Sequence, residues 1–146
     1  MATPPEPHSQ TIEPPPRFTV AVRALCEFTA KRGDLDLRFT PSPTAQEGIA
    51  GHQLVLKRRP AGYQTEVSLS GHYGPLAVRG RADGFDPSTG QLEEIKTHRG
   101  PLSRQPDNHR DLHWAQLKVY GALLCASQGR SELQLALVYL DVATGK

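Results

Sequence analysis

The chain has 146 residues, which fits a single domain with one hydrophobic core. Apolar residues make up 37% and aromatic residues 6%, as in a globular but polar protein. A net charge of +2 excludes neither nucleic acid nor a neutral ligand. No apolar run is long enough to span a membrane, and the start lacks the apolar region of a signal peptide. We therefore expect no membrane partner.

Prolines crowd residues 1–16, which we predict to be a disordered lead-in to one domain over 17–146. From Phe18 to Arg32 the apolar spacing predicts a helix ended by Gly33. Residues 34–43 contain two prolines and predict a loop. The two cysteines are far apart in apolar, helix-like segments, so we predict free thiols and a reduced, cytoplasmic location.

A second helix is predicted from the N-cap Thr44 to about Arg58, before Pro60. One apolar face of this helix should turn towards the sheet, and it includes Ala45, Ile49, His52 and Leu56. Gly48 and Gly51 would permit a close approach between helix and sheet. A histidine on such a face is either a satisfied core residue or a metal ligand.

Strands are predicted over 63–70, 76–85 and 91–97, and a loop over 98–110. A third, largely buried helix should run from about Asp111 to Gln128, followed by a buried strand from Leu133 to Leu140. The order α-α-β-β-β-α-β predicts an α/β fold with a small mixed sheet of about four strands flanked by helices.

Two carboxylates and an ammonium group meet in the predicted hairpin. Asp83 ends one strand, and Glu94 and Lys96 share a face of the next because alternate strand residues point the same way. Carboxylates bind hard divalent cations, and a neighbouring lysine can stabilise an anion. The alternative is a solvated hairpin with an ordinary ion pair.

On the third helix, Gln116 and Tyr120 are four residues apart and share a face. They are either core residues or an amide and a phenol that hold a phosphate or a base edge. Cationic residues cluster on both sides of the hairpin, as expected of a phosphate-binding surface. Arg79, Arg81 and Arg99 belong to these clusters.

Taken in order, His52, Asp83, Glu94-Ile95-Lys96 and Gln116…Tyr120 resemble the motifs of the RecB-like branch of the PD-(D/E)xK nucleases. The likeness covers roughly residues 44–142. Three further segments resemble the N-terminal nuclease domain fused to bacterial DinG/XPD-type helicases: Val22-Arg23 with Leu25, Gly33-Asp34-Leu35, and Leu137–Asp141. The resemblance implies a restriction-endonuclease-like core and a domain taken from a longer helicase-nuclease.

The resemblance also implies the chemistry. Asp83, Glu94, His52 and the main-chain carbonyl of Ile95 would hold Mg²⁺ or Mn²⁺, and Lys96 would act in catalysis with both carboxylates. Gln116 and Tyr120 would position the DNA, and Arg79, Arg81 and Arg99 are the candidate contacts to its backbone. We expect an exonuclease acting on single-stranded DNA beside a helicase module in cis. A structure-specific endonuclease or junction resolvase, and a non-catalytic DNA-binding module of the same fold, remain alternatives.

The sequence departs from the family pattern in two ways. Ala82, rather than a proline, precedes Asp83. Several RecB-like relatives carry four cysteines for an iron–sulfur cluster, whereas this chain has two. We therefore predict no cluster.

Overall fold

The computed structural model describes Pro15, residues 18–33 and residues 42–146. Apart from Pro15, Ser42 and Pro43, the predicted lead-in over 1–16 and the predicted loop over 34–43 lie outside the described residues. Asp34 and Leu35, from the segment Gly33-Asp34-Leu35, also lie outside the described residues.

A five-stranded mixed sheet flanked by three helices confirms the predicted α/β class, with one strand more than expected. The strands are β1 (Phe18–Ala21), β2 (Gln64–Tyr73), β3 (Leu76–Asp86), β4 (Gln91–His98) and β5 (Gln134–Asp141). The helices are α1 (Val22–Thr29), α2 (Ala45–Lys57) and α3 (Asp107–Gln128), with a short 3₁₀ turn at Leu102–Arg104. No helix among the described residues is both long and apolar enough to cross a membrane.

The additional strand, β1, lies where a helix was predicted to begin. Phe18–Ala21 pairs in parallel with the start of β3, and the Phe18 N–H donates to the Pro75 carbonyl at 3.1 Å. The helix begins only at Val22. A free edge on β3, which is a tertiary feature, thus overrides the helical spacing of the apolar residues.

The loop predicted over 98–110 is also partly ordered as regular structure. It contains the end of β4, the 3₁₀ turn and the first turn of α3, which begins at Asp107 rather than Asp111. Pro106 stands at the N-cap with φ −59° and ψ 141°. Asp107 in the first turn suits the positive end of the helix dipole, so polar residues that look unpatterned still start a helix.

Helix α2 begins as predicted. The Glu47 N–H donates to Thr44 Oγ1 at 3.2 Å and the Thr44 N–H donates to the Glu47 carboxylate at 2.8 Å, which forms a capping box. The close approach to the sheet is confirmed at Gly51, where a Cβ would lie 2.6 Å from Thr97 Cγ2. The predicted sheet-facing side was wrong in part, because Gly51 and Val55 are buried while Ile49 is 62% exposed.

The two faces of the sheet are covered by different helices. Ile95 of β4 packs with Val55 of α2 and Leu140 of β5 in a small cluster. On the other face, α1 and α3 contribute to the main core, with Val22, Cys26, Leu117 and Leu124 packed against the sheet. Cys26 and Cys125 are both free, as predicted.

Strand β3 has three partners, and this leaves a gap in the sheet. One of its edges pairs with β2 along almost the whole length of the strand. The other edge pairs with β1 over residues 76–79 and with β4 over residues 84–86. Between them, residues 80–83 have no strand partner on that edge among the described residues. The predicted site lies at this gap.

Candidate active site

Asp83 closes the gap between β3 and β4 with its side chain. The last backbone pair of the two strands joins Gly84 to Glu93, and the ladder then stops. The Ile95 N–H, which has lost a strand partner there, donates instead to Asp83 Oδ2 at 2.7 Å. A carboxylate thus accepts the hydrogen bond that a main-chain carbonyl accepts in a continuous sheet, and this fixes its position.

Glu94 and Lys96 share a face of β4, as their spacing predicted, and this face is the one that α3 covers. Lys96 Nζ donates to Glu94 Oε1 at 2.9 Å and to Gln116 Oε1 at 3.2 Å. Glu94 Oε2 is buried and has no hydrogen-bond partner among the described residues. The site therefore contains one carboxylate oxygen that lacks either a proton donor or a cation.

The pKa of Glu94 is consistent with this missing partner. Burial raises it above its ordinary value, and the nearby Asp83 carboxylate adds to the rise, while Lys96 opposes it. A buried carboxylate beside a second, partly exposed one favours a shared proton or a bound cation. The sequence predicted the residues of this pair, and the structure gives them their electrostatic character.

The neighbouring Glu93 provides a contrast within the same strand. It is also buried, at 4% exposure against 6% for Glu94. Its carboxylate accepts hydrogen bonds from Arg59 Nε at 2.8 Å, from the Tyr63 hydroxyl at 2.7 Å and from Gln91 Nε2 at 2.8 Å. Glu93 is therefore a fully satisfied structural carboxylate, whereas Glu94 is not.

His52 reaches Asp83 but not the rest of the set. Its Nδ1 lies 3.6 Å from Asp83 Oδ1, and it comes from α2, on the face of the sheet opposite the Glu94 side chain. Within the described part of the chain, no three His, Cys, Asp or Glu side chains already form a metal-binding group. Asp83, which stands at the gap between the two faces, is the link between His52 and Glu94.

Gln116 and Tyr120 lie behind the site rather than on its surface. Gln116 is 4% exposed and holds Lys96, and Tyr120 is also buried. Burial, with the charges of Glu94 and Asp83, raises the pKa of Tyr120 to about 12. A direct contact of either side chain with DNA therefore requires the site to open.

The predicted arginines are exposed to different degrees. Arg79 and Arg81 extend from β3 into solvent, and Arg81 forms a loose ion pair with Glu66 at 3.7 Å. Arg99 is bonded to Glu47 at the start of α2, which lowers the pKa of Glu47. The Ile95 main chain contacts Asp83 through its N–H, and the role predicted for its carbonyl stays a prediction.

Glu66 is a site residue that sequence reasoning missed. It is the one non-glycine residue with positive φ in the described chain, at 51°. In the β2–β3 register it falls opposite Asp83, and it lines a cavity of about 610 Å³ with His52 and Asp83. A left-handed glutamate within a strand is strained, and strain of this kind is concentrated at functional sites.

The strained backbone also changes which way the strand faces. Thr65 and Glu66 are consecutive, yet both line the cavity on the α2 side, while Val67 packs against the core on the other side. In β3, Ala82 and Phe85 are three residues apart and both belong to that same core. The alternation of side chains therefore shifts in both strands at the level of Asp83.

No family model and no curated protein matches the sequence. Among solved structures, the crystal structure of SSO0001 is similar to this chain, with a TM-score of 0.50 and 19% sequence identity. The match covers 86% of this chain and 70% of SSO0001. At this identity the likeness concerns the fold alone.

Proposed function

We propose that the chain is a metal-dependent deoxyribonuclease of the RecB-like type, which hydrolyses phosphodiester bonds as an exonuclease on single-stranded DNA. The observation that carries the proposal is Glu94, whose Oε2 is buried without a partner next to Asp83. A solvated ion pair, which is the alternative, needs neither the burial nor the second carboxylate. This site has a buried carboxylate, a second carboxylate beside it and a lysine.

The donor set fits a hard divalent cation. Asp83 and Glu94 provide carboxylate oxygens, and the orphan oxygen of Glu94 lacks the positive charge that a cation brings. His52 contacts Asp83 from the α2 side, at 3.6 Å, and its role as a further ligand stays a prediction. When bound, Mg²⁺ or Mn²⁺ would act as a Lewis acid on the phosphate and would acidify a water molecule.

The residues of the chain hold the charges in place for this chemistry. Lys96 is fixed from two sides, by Glu94 and by Gln116, so its ammonium group is positioned before substrate binds. It can stabilise the negative charge that grows on the phosphate in the transition state. Asp83 is held by the Ile95 N–H, which limits its freedom to rotate away.

The surroundings fit a nucleic-acid strand at this site. Arg79 and Arg81 are exposed on the strand that carries Asp83, and cations at such positions contact phosphates. We further propose that a helicase module in cis delivers a single strand to this domain in the cytoplasm. Arg81 forms only a loose ion pair with Glu66, at 3.7 Å, and would exchange that carboxylate for a phosphate of the DNA.

Digestion of end-labelled linear DNA and of closed circular DNA, each with Mg²⁺ or Mn²⁺, tests the proposal. We expect degradation from ends and no cutting of the closed circle. Lys96→Ala should abolish cleavage and leave DNA affinity largely intact, because one cation of many is lost. Lys57→Ala, which removes an exposed cation from α2, is the matched control. Cleavage by Lys96→Ala at the wild-type rate would contradict the mechanism.

The same assay separates the alternatives. Cutting of the closed circle would favour a structure-specific endonuclease or junction resolvase. DNA binding without cleavage in either cation would favour a non-catalytic module. Melting curves of each variant establish that a loss of cleavage is not a loss of folding.

A further inference from the structure

A second groove, remote from Asp83, combines cations with an aromatic ring. It lies between the C-terminal end of α1 and the outer side of α3, and its volume is about 730 Å³. Lys31 and Arg32 line one wall, and Trp114 and Lys118 line the other. Asp111 is the one carboxylate among the described residues that line the groove, and these residues carry an excess of positive charge.

The side chains of the three cationic residues make no stabilising ion pair within the described part of the chain. None of Lys31, Arg32 and Lys118 forms an ion pair with a described carboxylate, and all three are exposed. Trp114 packs partly against the main core, which accounts for its half-buried state but not for the cations around it. Like charges gathered about a ring repel one another and gain from an anion.

We propose that this groove binds single-stranded nucleic acid, with one base stacked on Trp114 and the adjacent phosphates on Lys31, Arg32 and Lys118. This inference rests on the proposed function, since it takes DNA as the ligand. Aromatic rings and cations lining one groove suit a strand whose bases are unstacked, because a duplex keeps its base faces covered. Arginine and lysine supply the phosphate contacts, and the ring supplies a platform for any base.

The groove and the catalytic centre lie on opposite sides of one helix. Trp114 and Lys118 are each two residues from Gln116, which is about half a helical turn. Gln116 points inward to Lys96, so the groove lies across a helix of roughly 10–12 Å diameter from the carboxylates. A strand bound at both places would wrap around α3, and the groove would act as a holding site for the single strand outside the catalytic centre.

Trp114 is the single tryptophan of the chain, so its fluorescence reports on the groove directly. The full chain would be titrated with oligothymidylate in EDTA, where no cleavage occurs, and binding would be followed in parallel by the anisotropy of a labelled oligonucleotide. We expect Trp114 emission to be quenched over the same concentrations at which anisotropy rises. An abasic oligonucleotide of equal length should bind about tenfold more weakly and quench little, because stacking is lost.

Charge reversal tests the phosphate contacts. Lys118→Glu should weaken binding at least tenfold at low salt, and Lys57→Glu should change it less than about threefold, because Lys57 is exposed on α2 outside the groove. Both variants have the same net charge. Equal effects of the two reversals, or anisotropy binding with no change in Trp114 emission, would overturn the proposal.

Three further outcomes are decisive. Quenching by a polyglutamate peptide but not by oligothymidylate would overturn the nucleic-acid assignment in favour of an acidic protein segment. Cleavage of the same oligonucleotide with Mg²⁺, but without quenching in EDTA, would reject the groove and leave the nuclease in place. Quenching without cleavage in Mg²⁺ or Mn²⁺ would support the groove and reject the nuclease.

Discussion

Glu94→Gln should stabilise the metal-free protein while it abolishes cleavage. The amide has nearly the shape of the carboxylate and removes the charge that burial and Asp83 disfavour. Each unit by which the pKa of Glu94 is raised in the folded state corresponds to about 1.4 kcal/mol in favour of a neutral group. The rise exists although Lys96 opposes it, so we expect a net gain on the order of 1 kcal/mol and an increase in Tm of roughly 3 °C.

The gain should depend on pH with a definite sign. The pKa of Glu94 is raised on folding, so the wild-type protein loses stability as pH rises from about the unfolded value of 4.5 through the folded value. The glutamine variant has no such loss at this position. The difference in Tm between the two proteins should therefore grow across this window and stay constant above it, when melting is measured in EDTA.

Glu93→Gln is the matched control, because Glu93 is the adjacent residue and is equally buried. Its carboxylate accepts from three donors, so the substitution should cost about 2 kcal/mol rather than stabilise. A Glu94→Gln variant that is destabilised to the same extent at pH 8 would refute the reasoning. The ion pair between Lys96 and Glu94 would then outweigh the cost of burying the Glu94 charge, and Glu94 would be a structural carboxylate like Glu93.

Three more predictions can be checked with melting curves and nuclease assays. Glu66→Gly should remove the left-handed strain and raise stability by about 1 kcal/mol while cleavage falls, whereas Ser68→Gly in the same strand should lower stability by about 0.5–1 kcal/mol. Gly51→Ala should destabilise by about 1–3 kcal/mol because its Cβ meets Thr97 at 2.6 Å, but Gly48→Ala, with 3.6 Å to the same residue, should be neutral or stabilising. Single-stranded DNA should be degraded faster than blunt duplex, and the rate should fall steeply as salt rises. Matched time courses on the two substrates would measure both effects. Equal rates on both substrates would argue against delivery by a helicase.

Local signals predicted most of the fold. The capping residue Thr44 and the turn after Asp86 set the start of α2 and the β3–β4 hairpin, because such signals act within a few residues. Strand β1 was missed because four residues give no period, and their state depends on an edge that β3 provides 55 residues or more later. The start of α3 at Asp107 was missed because its first turn is polar.

The candidate site, like the fold, was predicted in its local features and missed in its tertiary ones. The two-residue period of a strand placed Glu94 and Lys96 together, and the four-residue period of a helix placed Gln116 beside Tyr120. The position of His52 across the sheet could not be predicted, because it depends on which face α2 covers. The conformation of Glu66 could not either, since nothing local favours a positive φ for glutamate and only the tertiary structure imposes it.

The hydrogen bond from the Ile95 N–H to Asp83 has a consequence for spectroscopy. Because the acceptor is the side chain that would also bind a cation, any change of charge at Asp83 alters the polarisation of a main-chain amide in the middle of β4. That amide belongs to a residue whose own side chain is buried on the α2 side of the sheet, with Val55 and Leu140. The ¹⁵N–¹H resonance of Ile95, within a buried cluster, is therefore an indicator of the ionic state of Asp83.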